Sequence, residues 1–197
     1  VSGMPLDEFI RTRITGPLGM RDTYFFLPKD KSTRLVAVYA SGEENHVVRA
    51  PNGPPGQGDY VDGPRKTFSG GAGIVSTAAD YARLLQMLLN HGVLDGARIL
   101  APKTVDVMTT NAVDSLYSRN GEGFSLGFRT LDHPGAVGRV ESVGSYGWGG
   151  AYASTYLVDP KERLVLVFMI NQFPDRSGVP AKFPMLVYQA LMEPHKP

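Results

Sequence analysis

The chain has 197 residues, of which 42% are hydrophobic and 20% charged, and its formal net charge is +1. That near-neutral balance excludes the basic excess of a typical nucleic-acid binder, so no nucleic acid is expected among its partners. There is no cysteine, which removes disulfides, thiolate metal sites and cysteine nucleophiles. The longest apolar run, Leu164 to Ile170, is far too short for a helical membrane span.

The first residue is Val1, and the chain enters a helical pattern within a few residues, which reads as a chain beginning in mid-fold. Leu6, Phe9 and Ile10 recur at helical spacing with Asp7 and Glu8 in the first turn, and Gly16-Pro17 stops this helix. Leu35 to Tyr39 reads as a short strand. Residues 51–64, with Tyr60 among them, are dense in Gly and Pro and predict a long loop, which either lines the substrate cleft or is a mobile surface loop. A clear helix follows: Thr77 is the N-cap, Asp80 stands at the capping-box position, and Tyr81, Leu84, Leu85, Leu88 and Leu89 form one apolar stripe. Gly92 closes it. Asp95-Gly96 predicts a tight hairpin between Val93-Leu94 and Ile99-Leu100, and Pro102 opens a helix running to about Thr110.

The last third changes period. Phe124 to Leu131, Ser142 to Tyr146, Ala151 to Val158 and Leu164 to Ile170 read as strands, with a turn at Asp159 to Glu162. The final run is apolar on both faces and predicts a central strand covered on both sides. Pro184 to Met192 reads as a closing helix.

Two patterns invite a catalytic reading on their own. Gly123-Phe124-Ser125-Leu126-Gly127 matches the G-x-S-x-G nucleophile elbow, and Asp159 or Asp175 followed by His195 would complete the chain order Ser, Asp, His. An elbow needs a helix after its serine, however, and Pro134-Gly135 follow too soon for one. Ser69 to Gly73 is glycine-rich but lacks the spacing of a phosphate loop. His46, His91, His133 and His195 are scattered, so no metal site and no cofactor are expected.

Taken together, Pro17-Leu18-Gly19-Met20 with Asp22-Thr23, then Ser69 to Asn90, Gly123 to Phe128 and Tyr146 to Met169, form an ordered set. This set resembles the C-terminal half of class C β-lactamase-like serine hydrolases, particularly the esterases grouped as family VIII carboxylesterases. The resemblance implies an α+β fold, an antiparallel sheet flanked by helices. Residues 1–197 would be the C-terminal portion of one catalytic domain. Such enzymes use a Ser-x-x-Lys nucleophile, a tyrosine motif and a strand-edge triplet. Only the triplet is matched, by Trp148-Gly149-Gly150; no serine has lysine three residues on, and no Tyr-x-Asn occurs. Tyr39-Ala40-Ser41 and Tyr152-Ala153-Ser154 stand on the wrong side of the first block for the tyrosine motif.

The resemblance implies that Ala151 supplies a backbone oxyanion donor and that Trp148, Gly149, Gly150 and Tyr152 contact substrate. The nucleophile would lie in a missing N-terminal half of the same protein. Trp148 stands where β-lactamases carry a cation, so a small neutral ester is the expected substrate, cleaved through an acyl-enzyme. An acyltransferase, a β-lactamase or D-alanyl peptidase, and a non-catalytic binding module remain alternatives. This chain alone is expected to be inactive, and to associate or aggregate through uncovered apolar surface.

Overall fold

The computed structural model describes residues 1–43, 46–53, 58–63, 68–117 and 120–191. Residues 54–57 and 64 of the Gly/Pro loop, Met192 and His195 lie outside them. Helix α1 (Leu6–Ile10) runs into one wider π-type turn, Arg11–Thr15, before Gly16 and Pro17 end it. Strands β1 (Tyr39–Ser41) and β2 (Val47–Arg49) form a small hairpin. The strand expected at Leu35 to Tyr39 therefore begins only at its last residue. Lys29–Arg34 is a 3-10 helix, which uses up the preceding chain.

Helix α2 (Ala78–Leu89) starts as expected, with Thr77 Oγ1 accepting from the Asp80 N–H at 3.1 Å. Asp80 does not complete the capping box. Its carboxylate instead accepts from the Asp22 N–H at 2.7 Å and the Thr23 hydroxyl at 2.9 Å. That tie locks the Asp22-Thr23 segment onto the start of α2. Strands β3 (Val93–Leu94) and β4 (Ala97–Arg98) flank Asp95-Gly96, both at positive φ, as a two-residue hairpin requires. The second strand thus precedes Ile99-Leu100. Helix α3 (Pro102–Thr109) follows, with Pro102 in its first turn.

The main sheet is a five-stranded antiparallel meander: β5 (Glu122–Phe124), β6 (Arg129–Leu131), β7 (Tyr146–Gly149), β8 (Thr155–Asp159) and β9 (Leu164–Phe168). The single strand expected at Phe124 to Leu131 is two strands, because Ser125 to Phe128 turns back on itself: the Ser125 N–H donates to the Phe128 carbonyl at 2.9 Å. Ser142 to Ser145 is likewise a turn, with Gly144 at positive φ, and Ala151 to Ser154 is the β7–β8 loop. Strand β9 is not central among the described strands; it ends the order. Its apolar pattern has another cause, since α2 packs on one of its faces and α4 (Val179–Gln189) contacts it as well. Helix α4 begins before Pro184, which lies inside it.

Register decides the two faces. Trp148, Tyr146, Tyr156, Val158, Val165 and Val167 share the face under α2. There Leu85, Met87, Leu88, Tyr146 and Val158 are buried in one core with Leu18 and Met20. Tyr81 of α2 meets Tyr156 edge-on at 5.1 Å, and Phe128 meets Tyr146 at 5.3 Å. On the other face Phe168 meets Phe183 of α4 at 5.0 Å.

Candidate active-site edge

The β6–β7 ladder ends at the pair Arg129 and Gly147, whereas β7–β8 pairing runs on to Gly149 and Thr155. From Trp148 onward, therefore, β7 has a partner on one side only among the described residues. Along β7 the backbone groups alternate sides. Ser145 binds toward β6, since its carbonyl accepts from the Leu131 N–H, and Gly150 binds toward β8, since its N–H donates to the Ser154 carbonyl at 2.8 Å. Gly149 shares the parity of Ser145, so its backbone groups face the open edge. Ala151 is exposed, and among the described residues its N–H makes no hydrogen bond within the chain.

The loop that carries Ala151 is held from behind. The Ala153 N–H donates to the Gly150 carbonyl at 3.1 Å, with Ala153 at φ 65°. The Ser154 hydroxyl donates to the Ile170 carbonyl at 3.2 Å, and the Gln172 N–H to the Tyr152 carbonyl at 3.4 Å. Tyr152 packs edge-on against Phe173 at 6.0 Å. The loop is thus anchored on the segment after β9, while its outer edge stays clear.

The glycines divide into two kinds. A Cβ on Gly147 would drive into the Tyr156 carbonyl oxygen, so the fold itself requires glycine there. On Gly149 the nearest atom would be the Ser154 oxygen at 3.5 Å, and on Gly150 the nearest would stand at 3.9 Å. Nothing among the described residues demands glycine at these two positions. Bare backbone there leaves room for a molecule approaching from outside.

Two cavities flank this edge. One, of ≈ 650 Å³, is lined mainly by apolar groups, among them Ile14, Val36, Tyr60, Tyr81, Trp148 and Tyr152. The other, of ≈ 550 Å³, includes Tyr117, Arg129, Arg139 and Trp148. Trp148, Gly149 and Gly150 border both. The structure thus brings together four sequence-predicted residues, Trp148, Gly149, Gly150 and Tyr152, around the first cavity, with Ala151 in the same loop. Tyr60 joins them, and the Leu27 N–H holds its carbonyl at 2.8 Å.

Every cation lining either cavity, among the described residues, is already paired. Asp22 takes Lys31 at 2.7 Å and Arg34 at 2.6 Å, and these two bonds hold its carboxyl down at about 2. Glu122 takes Arg129 at 3.1 Å and Arg139 at 3.3 Å, and Glu141 takes Arg139 at 3.2 Å. Burial and the neighbouring Arg139 push Arg129 below its ordinary value. The tyrosines near the edge are no better suited to act as bases: burial raises Tyr81, and burial with Tyr81 alongside raises Tyr156 strongly.

Ser125 does not reach this edge. It is 5% exposed, and its hydroxyl donates to the Val107 carbonyl at 2.8 Å. The turn 125–128 joins two strands instead of a strand and a helix, so the elbow geometry is absent. Asp159 is fully buried and serves the fold, as described below. The residues that sequence reasoning missed are Phe124 and Tyr117, which pack in line with Trp148. Their separation across a loop gave no periodic signal.

The Beta-lactamase family model matches residues 1–188. The chain belongs to the β-lactamase family. It is 32% identical over 189 residues to Protein Rv1367c of Mycobacterium tuberculosis, covering 90% of this chain and 46% of that protein. It is 29% identical over 186 residues to Esterase EstB of Burkholderia gladioli, covering 86% and 45%, and 27% identical over 201 residues to a putative D-alanyl-D-alanine carboxypeptidase of Escherichia coli, covering 93% and 44%. Among solved structures it superposes on EstCE1, a hydrolase with promiscuous acyltransferase activity, with TM-score 0.77 and 24% identity over 98% of this chain and 52% of that one. The chain spans about half the length of the relatives it matches. Among the described residues no helix is long and apolar enough to cross a membrane.

Proposed function

We propose that this chain is the oxyanion and substrate edge of a serine acyl hydrolase acting on neutral esters. The nucleophile is supplied by polypeptide outside residues 1–197, in the half of the protein that the relatives possess and this chain does not cover. The observation that carries the reading is the open stretch of β7, where pairing with β6 stops at Gly147 and the Ala151 N–H has no partner among the described residues. An acyl-transfer transition state places negative charge on the former carbonyl oxygen, and a pre-aimed backbone N–H stabilises it without reorganising. Gly149 and Gly150 let the reacting carbonyl lie close to that donor. The serine attacks the carbonyl carbon, the alcohol departs with a proton, and water releases the acid from the acyl-enzyme.

The preference for neutral esters rests on charge. Trp148 offers an apolar ring with one N–H donor and no positive charge. Arg129 and Arg139 are balanced by Glu122 and Glu141, and Lys31 and Arg34 are both engaged by Asp22, so each of these cavity-lining cations already has a carboxylate partner, although the Asp22 cluster keeps one net positive charge. The neutral ring at position 148 favours the ester reading over cleavage of β-lactams or D-alanyl peptides, whose carboxylates need a counter-charge at the edge itself. Esterase EstB, 29% identical over 186 residues, lends this reading support.

The test is Ala151→Pro in the full-length protein, which removes the N–H. Ester kcat should fall by about 10²–10³-fold with KM little changed and the melting temperature near that of the parent. Unchanged kcat in a folded variant would remove Ala151 from the oxyanion role.

A further inference from the structure

Beyond the edge residues themselves, three rings form a row. Tyr117 stacks on Phe124 with centroids 5.3 Å apart and planes 27° from parallel. Phe124 in turn meets Trp148 edge-on, at 5.3 Å and 69°. The row crosses from the segment before β5, over the end of β5, to the open end of β7. Its two outer rings remain in water: Trp148 is 42% exposed and Tyr117 44%. Rings that serve the core behave differently, since Tyr146 is 2% exposed and Phe128 9%.

We propose that Tyr117, Phe124 and Trp148 are a specificity wall that receives an aromatic group of the ester. Phe124 is the positioning residue that fixes the indole. The inference rests on the ester reading of the same edge. Two arguments support it. Trp148 borders both cavities beside Gly149 and Gly150, so a molecule lying on the bare backbone must pass its ring. Tyr117 borders the second cavity, so the wall continues outward from the edge in the direction a bulky group would extend. Flat rings prefer edge-to-face or offset contact with other rings, and this row presents both orientations. Trp148 keeps 42% of its surface exposed beside both cavities, so ring surface remains for substrate while Phe124 fixes its position. No charge lies within the row itself, so it selects on shape and aromaticity.

The experiment uses the full-length protein and compares aryl esters with alkyl esters of matched size, such as phenyl against cyclohexyl acetate and methyl benzoate against methyl cyclohexanecarboxylate. In the parent, at least one aryl member should exceed its alkyl partner in kcat/KM. Phe124→Leu keeps apolar volume and guards against unfolding. It should lower that aryl-to-alkyl ratio by about three- to tenfold, and Phe124→Tyr should restore it. Tyr117→Leu should lower it by a smaller factor. An equal ratio in parent and variants overturns the wall. If the parent cleaves no ester, the hydrolase reading fails first. The wall is then judged by binding of phenyl methyl ketone against cyclohexyl methyl ketone. A ratio of dissociation constants that Phe124→Leu leaves unchanged overturns it there too.

Discussion

The two ends of strand β8 are built on opposite plans. At its C-terminal end Asp159 is fully buried, and its carboxylate accepts from the Ser142 N–H at 2.9 Å, the Lys161 N–H at 3.0 Å, the Glu162 N–H at 3.1 Å and the Tyr188 hydroxyl. It joins the β6–β7 connection, the β8–β9 turn and helix α4 at one point. Burial alone would raise this carboxyl, but the donors outweigh it and hold it below the ordinary carboxylate range. At the N-terminal end, around Thr155, the facing strand runs out of partners and the loop leaves an N–H unused among the described residues. One end gathers four donors on a single buried carboxylate, and the other leaves the Ala151 N–H open among the described residues. The contrast separates residues that hold the fold from residues available to a ligand, although both sets look alike as polar and glycine-rich turns in the sequence.

The largest expected effect comes from the closed end. Asp159→Ala leaves four donors without their acceptor and should cost about 3–5 kcal/mol, read as urea unfolding of the full-length protein. A loss below about 1 kcal/mol would mean that the closed end is not what holds α4. The glycine contrast comes next. Gly147→Ala meets the Tyr156 carbonyl and should cost about 2 kcal/mol, whereas Gly149→Ala should stay within about 0.5 kcal/mol yet lower ester turnover. Equal stability losses at the two sites would erase the distinction drawn between them.

Ser125→Ala should remove about 1 kcal/mol through its bond to the Val107 carbonyl, with ester turnover retained. The smallest effect concerns acid. Asp22 has its folded value lowered to about 2 by Arg34 and Lys31, below its unfolded value of about 3.9. Its contribution is therefore present above about pH 4 and lost as pH falls toward 2. Melting temperatures of the parent and Asp22→Asn, taken across that range, should differ near neutrality and converge in acid.

Much of this was legible in the sequence. The helix from Thr77, the Asp95-Gly96 hairpin and the triplet Trp148-Gly149-Gly150 each carry local chemistry that announces itself. Strand limits were harder, because ladder formation and not hydrophobicity decides where a strand ends. Ser142 to Ser145 and Ala151 to Ser154 are apolar or small enough to read as strand, yet Gly144 and Ala153 at positive φ turn the chain there. Side chains with remote partners were invisible. Asp80 looked like a capping residue and proved to be the acceptor for Asp22 and Thr23, 58 and 57 positions away. Asp159 looked like a turn residue and proved to be the anchor of α4. Strand β9 reads as central by composition, but its coverage comes from helices.

Covalent trapping tests the central claim most directly. The full-length protein, treated with a fluorophosphonate and digested, should carry one adduct on a serine outside residues 1–197, with none on Ser125 or any other serine of this chain. An adduct mapped to Ser125, or to any serine within these residues, would contradict the account.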